Sequence, residues 1–248
     1  MKIFRTLILL FFLSNSCFAQ VDNAITKRYR QIIHLIETGN PQKLSTFVEY
    51  PLKRQNPLQD IRTPKEFIAY FPVLVDDSLK RLLKQYDDSI VFRHREDYGI
   101  FSGEMWLNEE GKIIAINYSS GKEQQLKNKL QQKIKAQMHP SVRDWDENTL
   151  VLRSQKLLIR IDETKNGTRY VCWSNGHTIK DKPDMVINDG KMEAQGTMGG
   201  FTWTFENKGW TYIINDAEIC DKPEACGYFL ELWNKGKMIS STELKVTK

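Results

Sequence analysis

Apolar residues recur at helical spacing in the first part of the chain. Every third or fourth position is apolar in a first predicted helix, at Ile25, Tyr29, Ile32, Ile33 and Ile36. Two further helices are predicted where proline follows a capping residue, at positions 40–41 and 63–64, and Pro72 is predicted to interrupt the second of these. This half of the chain therefore begins with predicted helices.

Short strands and one long helix are predicted next. The apolar runs that predict strands cover residues 90–92, 100–107 and 113–118. In the following helix apolar residues lie four positions apart, at Leu126, Leu130, Ile134 and Met138. Lysine and glutamine fill most of its other positions, so one side is predicted to pack and the other to face water. His139 and Pro140 end this helix, and we place a domain boundary there.

From residue 145 onward the chain alternates short apolar runs with tight turns. Turns are predicted where glycine follows a polar residue, at Gly167, Gly176, Gly190, Gly209 and Gly236. Between turns the pattern alternates, as in residues 201–205, where aromatic residues face one side and threonines the other. About seven to nine such strands predict an antiparallel meander, closed as a barrel or folded as a sandwich.

Five short segments of the first half suggest a family. They are Tyr-Pro-Leu at residues 50–52, Ile-Arg at 61–62, Glu-Phe at 66–67, Gly-Ile-Phe-Ser-Gly-Glu-Met-Trp at 99–106 and Gly-Lys-Ile-Ile-Ala-Ile-Asn at 111–117. Together with the order of helices and strands over roughly residues 22–120, they resemble uncharacterised exported bacterial proteins with the cone-shaped fold of the nuclear-transport-factor-2-like (NTF2-like) superfamily. The resemblance implies a fold, and it transfers no catalytic residue.

The predicted fold class is accordingly α+β. It consists of an NTF2-like α+β cone over residues 20–138, followed by an all-β antiparallel meander, barrel or sandwich, over residues 139–248.

Residues 1–19 are predicted to be a cleavable signal peptide. Lys2 and Arg5 precede an apolar stretch, and Ala19 lies at the expected cleavage position. The apolar stretch is about half of the roughly 20 residues that a membrane-spanning helix needs. The alternative is a lipoprotein acylated at Cys17, but Ser14 stands where that signal would have leucine. We therefore predict a periplasmic or secreted protein without a membrane span.

Charge points to no polyanionic partner. Removing residues 1–19 lowers the net charge from +5 to +3, because Lys2 and Arg5 are lost and no acidic residue is. The remaining basic excess is concentrated on residues 122–135, where a solvated helix face accounts for it. No nucleic-acid partner is predicted.

Cleavage would leave Cys172, Cys220 and Cys226. Cys220 and Cys226 flank a short polar loop and are predicted to form a disulfide in an oxidising compartment. Cys172 lies in an apolar run, which favours a buried free thiol. Their spacing fits no zinc pattern, and no metal site is predicted.

No catalytic motif or cofactor-binding fingerprint occurs in the chain, so no catalytic residue and no cofactor is predicted. Glu104 is the acid of most interest, because it lies on a predicted central strand. If it points into the cone, burial would make it an acid or a ligand contact. The alternative is that it faces solvent or pairs with an arginine.

Five of the six tryptophans lie in the second half. They either fill the β-core, which the apolar runs around Trp173 and Trp203 favour, or form a surface that binds a protein or a sugar. Trp210 directly follows a predicted turn and Trp233 directly precedes one. These two are therefore the predicted binding residues.

The leading hypothesis is an exported, non-catalytic, two-domain binding protein of the cell envelope. Its partner would be another protein, in the manner of an inhibitor or an immunity-type factor. One alternative is a small-molecule or glycan-binding protein that uses the cone or the tryptophans. Another is an enzyme with Glu104 as an acid in the cone.

Overall fold

A computed structural model describes residues 23–196 and 199–247. The predicted signal peptide and Cys17 lie outside the described residues. The N-terminal part contains helices α1 (Asn23–Glu37), α2 (Pro41–Leu44), α3 (Pro64–Leu74), α4 (Asp77–Leu83) and α5 (Gly121–Gln137). It also contains strands β1 (Phe92–His94), β2 (Asp97–Ile100), β3 (Met105–Leu107) and β4 (Ile113–Ile116), which form one antiparallel sheet in that order.

The helices begin where the sequence offers a cap. The side chains of Asn40, Thr63 and Ser120 each accept a backbone N–H of the first turn that follows. The predicted apolar face of α1 is confirmed, because Ile25, Tyr29, Ile32, Ile33 and Ile36 are all buried. The predicted break at Pro72 is wrong, since α3 continues through it to Leu74.

The predicted fold class is wrong. The molecule is mostly β, a closed eight-stranded barrel with a four-stranded antiparallel sheet, and it is not built on a helix-rich cone. The four small strands have only three or four residues each, which is about 10 to 13 Å of chain and too short to curve around a cone. A turn over residues 101–104, where Phe101 has a φ of 53°, interrupts the strand predicted over residues 100–107.

The second half closes as a barrel rather than a sandwich. Its strands are β5 (Glu147–Arg153), β6 (Leu157–Thr164), β7 (Gly167–Ser174), β8 (Met185–Ala194), β9 (Phe201–Asn207), β10 (Trp210–Ala217), β11 (Gly227–Asn234) and β12 (Lys237–Val246). Each pairs antiparallel with the next in sequence, and β12 returns to pair with β5.

Two of the tight turns follow directly from their residues. Lys208 and Gly209 have φ of 50° and 80°, and Lys235 and Gly236 have 47° and 74°. Two successive positive φ values suit the right-handed twist of the strands on either side. The turn predicted at Gly190 is wrong, because β8 runs through it with a bend at Asp189, where the register with β7 shifts.

Alternate residues of the barrel strands point inward and form one apolar core. The buried members are Leu150, Leu152, Ile159, Ile161, Tyr170, Cys172, Ile187, Trp203, Phe205, Ile214, Leu230 and Leu244. A second cluster covers the outer face of β6 and β7, where Met138, Val142 and Trp145 pack against Leu158, Val171 and Trp173. The segment that leaves α5 is therefore held against the barrel wall.

Candidate functional site

The barrel closes at a short seam between its last strand and its first. Strand β12 has ten residues, but it pairs with β5 only at Lys245 and Val246. The backbone N–H of Thr247 adds one bond, 2.8 Å long, to the carbonyl of Val151. Beyond Arg153 the chain turns away into the β5–β6 hairpin. Among the described residues, positions 237–244 of β12 therefore pair only with β11.

A cleft of about 840 Å³ lies beside this unpaired stretch. Arg153, Lys156 and Leu157 line it on the hairpin side, and Thr242, Glu243 and Lys245 line it on the β12 side. We call it the seam cleft. Thr242 and Leu157 lie on the inward-facing rows of their strands, since Leu244 and Ile159, two residues away, are in the core. The cleft therefore interrupts the barrel wall.

The free edge of β12 presents main-chain hydrogen-bonding groups to the seam cleft. Thr247 directs its N–H toward β5, and residues two apart along a strand direct these groups to the same side. Glu243 and Ser241 therefore direct theirs toward the cleft, beyond the last pair with β5. An exposed row of such groups is a template for another strand.

The charge around the seam cleft is mainly positive. Arg153, Lys156 and Lys245 oppose one acid, Glu243, and all four side chains are exposed. Across residues 23–196 and 199–247 no ion pair uses any of them. These cations are consequently available to a ligand.

The two tryptophans predicted to bind lie on opposite faces of the barrel wall. Trp210 pairs with Asn234, and Thr211 pairs with Trp233, so the two indoles project from neighbouring strands in opposite directions. Trp210 is 37% exposed on the inward-facing row of β10. Trp233 is half-buried on the outer face of β11 opposite Met238, one strand away from the free edge of β12, and its Nε1 donates to Glu231 Oε2 over 2.9 Å.

Glu104 lies in the turn before β3 and is half-buried, not on a strand as expected. Its backbone carbonyl accepts the N–H of Asn117 over 2.8 Å and so helps to hold that turn. A role for its carboxylate stays a prediction.

The predicted disulfide between Cys220 and Cys226 is confirmed, and it closes the loop between β10 and β11. Such a bond is typical of proteins outside the cytoplasm. Cys172 is a buried free thiol, also as predicted, and burial raises its pKa.

Sequence reasoning missed the buried charges along α5. Glu123 is fully buried and accepts from Arg54 Nε and from the Tyr70 hydroxyl, each over 2.8 Å. Burial, followed by the bond to Glu123, raises the pKa of Tyr70. Lys127 reaches Glu147 of the barrel over 2.8 Å. These contacts fasten α5 to both halves of the molecule, while the other side of the helix is exposed as expected, with Lys122, Lys129 and Lys133 among its exposed residues.

None of the described helices is long and apolar enough to cross a membrane. Within the same residues, no three His, Cys, Asp or Glu side chains are grouped so as to share a metal ion. Comparison with family models, with curated proteins and with solved structures gives no match.

Proposed function

We propose that this protein is an exported binding protein of the cell envelope that holds an extended segment of a partner protein in the seam cleft. The free edge of β12 carries this proposal. Recognition by strand addition needs an unpaired row of main-chain groups and side-chain contacts beside it, and the seam cleft offers both.

The charge of the seam cleft selects the kind of segment. An added strand would lie beside Glu243 and Ser241, with Lys156 and Arg153 of the hairpin on its other side. Three cations against one acid favour a segment rich in aspartate and glutamate. Trp233 and Met238 would contact its apolar side chains on the outer face, where they lie opposite one another.

Export supports a partner in the envelope. The pattern of residues 1–19 favours a signal peptide, and the disulfide between Cys220 and Cys226 favours an oxidising compartment. An inhibitor or immunity-type role follows if the bound segment belongs to an enzyme.

A displayed library of random ten-residue peptides tests the proposal, with the mature chain as bait. We expect retained peptides to be enriched in aspartate and glutamate. A selected peptide should slow hydrogen exchange at the backbone amides of Ser241 and Glu243. Its affinity should fall about tenfold in a Lys156→Glu, Lys245→Glu double variant, since two favourable charge contacts become repulsive.

Lys208→Glu is the matched control, because Lys208 is an exposed lysine in the β9–β10 turn and does not line the seam cleft. It should leave the affinity unchanged. If no peptide is retained, or if bound peptides leave the Ser241 and Glu243 amides exchanging freely, the protein does not act through this edge.

A further inference from the structure

At the end of the barrel opposite the β5–β6 hairpin, apolar side chains of the inward-facing row are exposed. Strand β8 pairs with β7 as far as Gly190 and with β9 from Lys191 onward. Its last four residues therefore extend past β7. Met192 and Phe201 lie on that row and are 51% and 41% exposed. We call this region the lower mouth.

A buried donor without a partner lies beside these residues. Trp203 is 3% exposed, yet its indole Nε1 has no hydrogen-bond partner among residues 23–196 and 199–247. It lies opposite Met192 in the register and shares the inner face with Phe201, whose ring centroid is 5.9 Å away. A buried N–H left unpaired destabilises a fold, so a ligand atom that accepts a hydrogen bond from it would remove that cost.

The carboxylate of Asp216, on β10, lies on the same inner face as Trp203 and pairs with Tyr228 of β11. Asp216 follows Ile214, the register partner of Trp203, by two residues, so the two side chains share a face as diagonal neighbours. Asp216 is 8% exposed and accepts the hydroxyl of Tyr228 over 2.9 Å. Burial, together with the charge of Glu218, raises the pKa of this carboxyl, while the bond from Tyr228 opposes the rise.

From these placements we infer a second binding site, for a sugar, at the lower mouth. A hydroxyl group accepts from the Trp203 indole and also donates to Asp216, and an adjacent hydroxyl meets the Tyr228 oxygen. The C–H face of a pyranose ring stacks on an exposed aromatic ring such as Phe201. The site lies at the far end of the barrel from the β5–β6 hairpin of the seam cleft, and neither proposal depends on the other.

Titration of the mature chain with methyl glycosides of glucose, galactose and N-acetylglucosamine tests this inference. The readout is the ¹H–¹⁵N signal of each indole, and phenethylamine serves as a comparison ligand. We expect at least one glycoside to shift the Trp203 indole signal saturably and to leave the Trp210 signal unmoved. This measurement needs only the unaltered chain.

Variants then assign the contacts. Asp216→Asn should weaken binding about tenfold, since a bond to a charged group is typically worth about 1.5 to 3 kcal/mol. Trp203→Phe, which keeps a ring and removes the N–H, should weaken it several-fold. Trp210→Phe is the matched control and should leave the affinity for the glycoside unchanged. Lys156→Glu should also leave it unchanged.

Two results would overturn the inference. In one, none of the glycosides shifts the Trp203 signal. In the other, phenethylamine shifts it and the glycosides do not, which would identify the lower mouth as a site for an aromatic cation.

Discussion

At the scale of single residues, Glu123 is a fully buried charge on which the stability of the fold should depend. Replacing Glu123 with glutamine would leave Arg54 its bonds to backbone carbonyls of residues 116 and 118 but remove the charge of the Glu123 carboxylate. Breaking a buried pair from one side typically destabilises a protein by about 3 to 5 kcal/mol. We expect a loss of about 3 kcal/mol in unfolding free energy, measured by urea denaturation.

Glu109→Gln is its control. Glu109 pairs with Arg93, both side chains are exposed, at 59% and 47%, and exposed pairs contribute about 0 to 1 kcal/mol. Equal losses in the two variants would show that burial of Glu123 does not set the strength of its pair.

Asp216 should make the free energy of unfolding depend on pH. Because burial raises its pKa in the folded protein, its protonated form favours folding and its ionised form opposes it. The free-energy penalty for burying the ionised carboxylate is absent below the ordinary aspartate pKa. It grows as pH rises from that pKa through the raised pKa of the folded protein. Asp216→Asn should therefore stabilise the protein relative to wild type at neutral pH.

That advantage should disappear in acid, below the ordinary aspartate range. Chemical denaturation of both proteins across a pH series measures it. A difference that stays constant with pH would contradict the assigned cause.

Apolar positions were predictable from sequence and their polar partners were not. Spacing alone found the buried face of α1, since burial repeats with the helix. The pair of Arg54 and Glu123 joins residues 69 apart, and periodicity carries no information about such a contact. The one local signal was Ser120 three residues before Glu123, which is the spacing of a capping box and places Glu123 in the first turn of α5.

At the scale of elements, the bend in β8 depends on Gly190. A Cβ on this residue would lie 2.1 Å from Cε1 of Phe205, a ring fully enclosed in the barrel core. Gly190→Ala must displace that ring, and overpacking of this kind typically destabilises by about 1 to 3 kcal/mol. Thermal or chemical unfolding should show a loss in that range.

Gly121→Ala provides the comparison, because no neighbouring atom of the described residues lies within 4 Å of its added Cβ at the start of α5. Alanine there should be neutral or slightly stabilising. A Gly190→Ala protein as stable as wild type would mean that Phe205 moves aside freely.

Turns were predictable where local chemistry determines them and not where pairing does. Lys208-Gly209 and Lys235-Gly236 adopt positive φ because the sequence supplies glycine beside a polar residue. The similar Asp189-Gly190 became a bend within a strand, since Phe205 packs against Gly190 and β9 pairs with the residues that follow. Glu104 was predicted on a strand, but the residues directly before β3 form a turn.

At the scale of the whole molecule, α5 joins the two halves through Lys127. Its ammonium group bonds Gln55 of the first half over 3.0 Å and Glu147 of the barrel over 2.8 Å. Lys127→Met keeps most of the side-chain volume and removes both bonds, so we expect a loss of about 1 to 2 kcal/mol. Lys129→Met, at an exposed position of the same helix, should stay within about 0.5 kcal/mol of wild type.

Unfolding followed by tryptophan fluorescence measures both variants. If Lys127→Met is no more harmful than Lys129→Met, the link through α5 contributes nothing to the stability of the halves together.

The boundary at residues 138 and 139 stays a prediction. The change from helical to alternating spacing was visible in the sequence, and the barrel begins soon after it. The packing of Met138, Val142 and Trp145 on the barrel wall was not visible, because it joins a loop to the outer face of strands that come later. The predicted cone was wrong for a similar reason. The lengths of β1 to β4 depend on turns and pairing rather than on apolar runs alone.

The short seam also has a consequence for how the chain folds. Every other pairing in the barrel joins consecutive strands, and those contacts are local in sequence. Closure alone brings together residues such as Val151 and Thr247, which are 96 positions apart. The long chain between these two residues must lose conformational entropy before that contact forms. The seam should therefore be the last part of the barrel to assemble and the first to open.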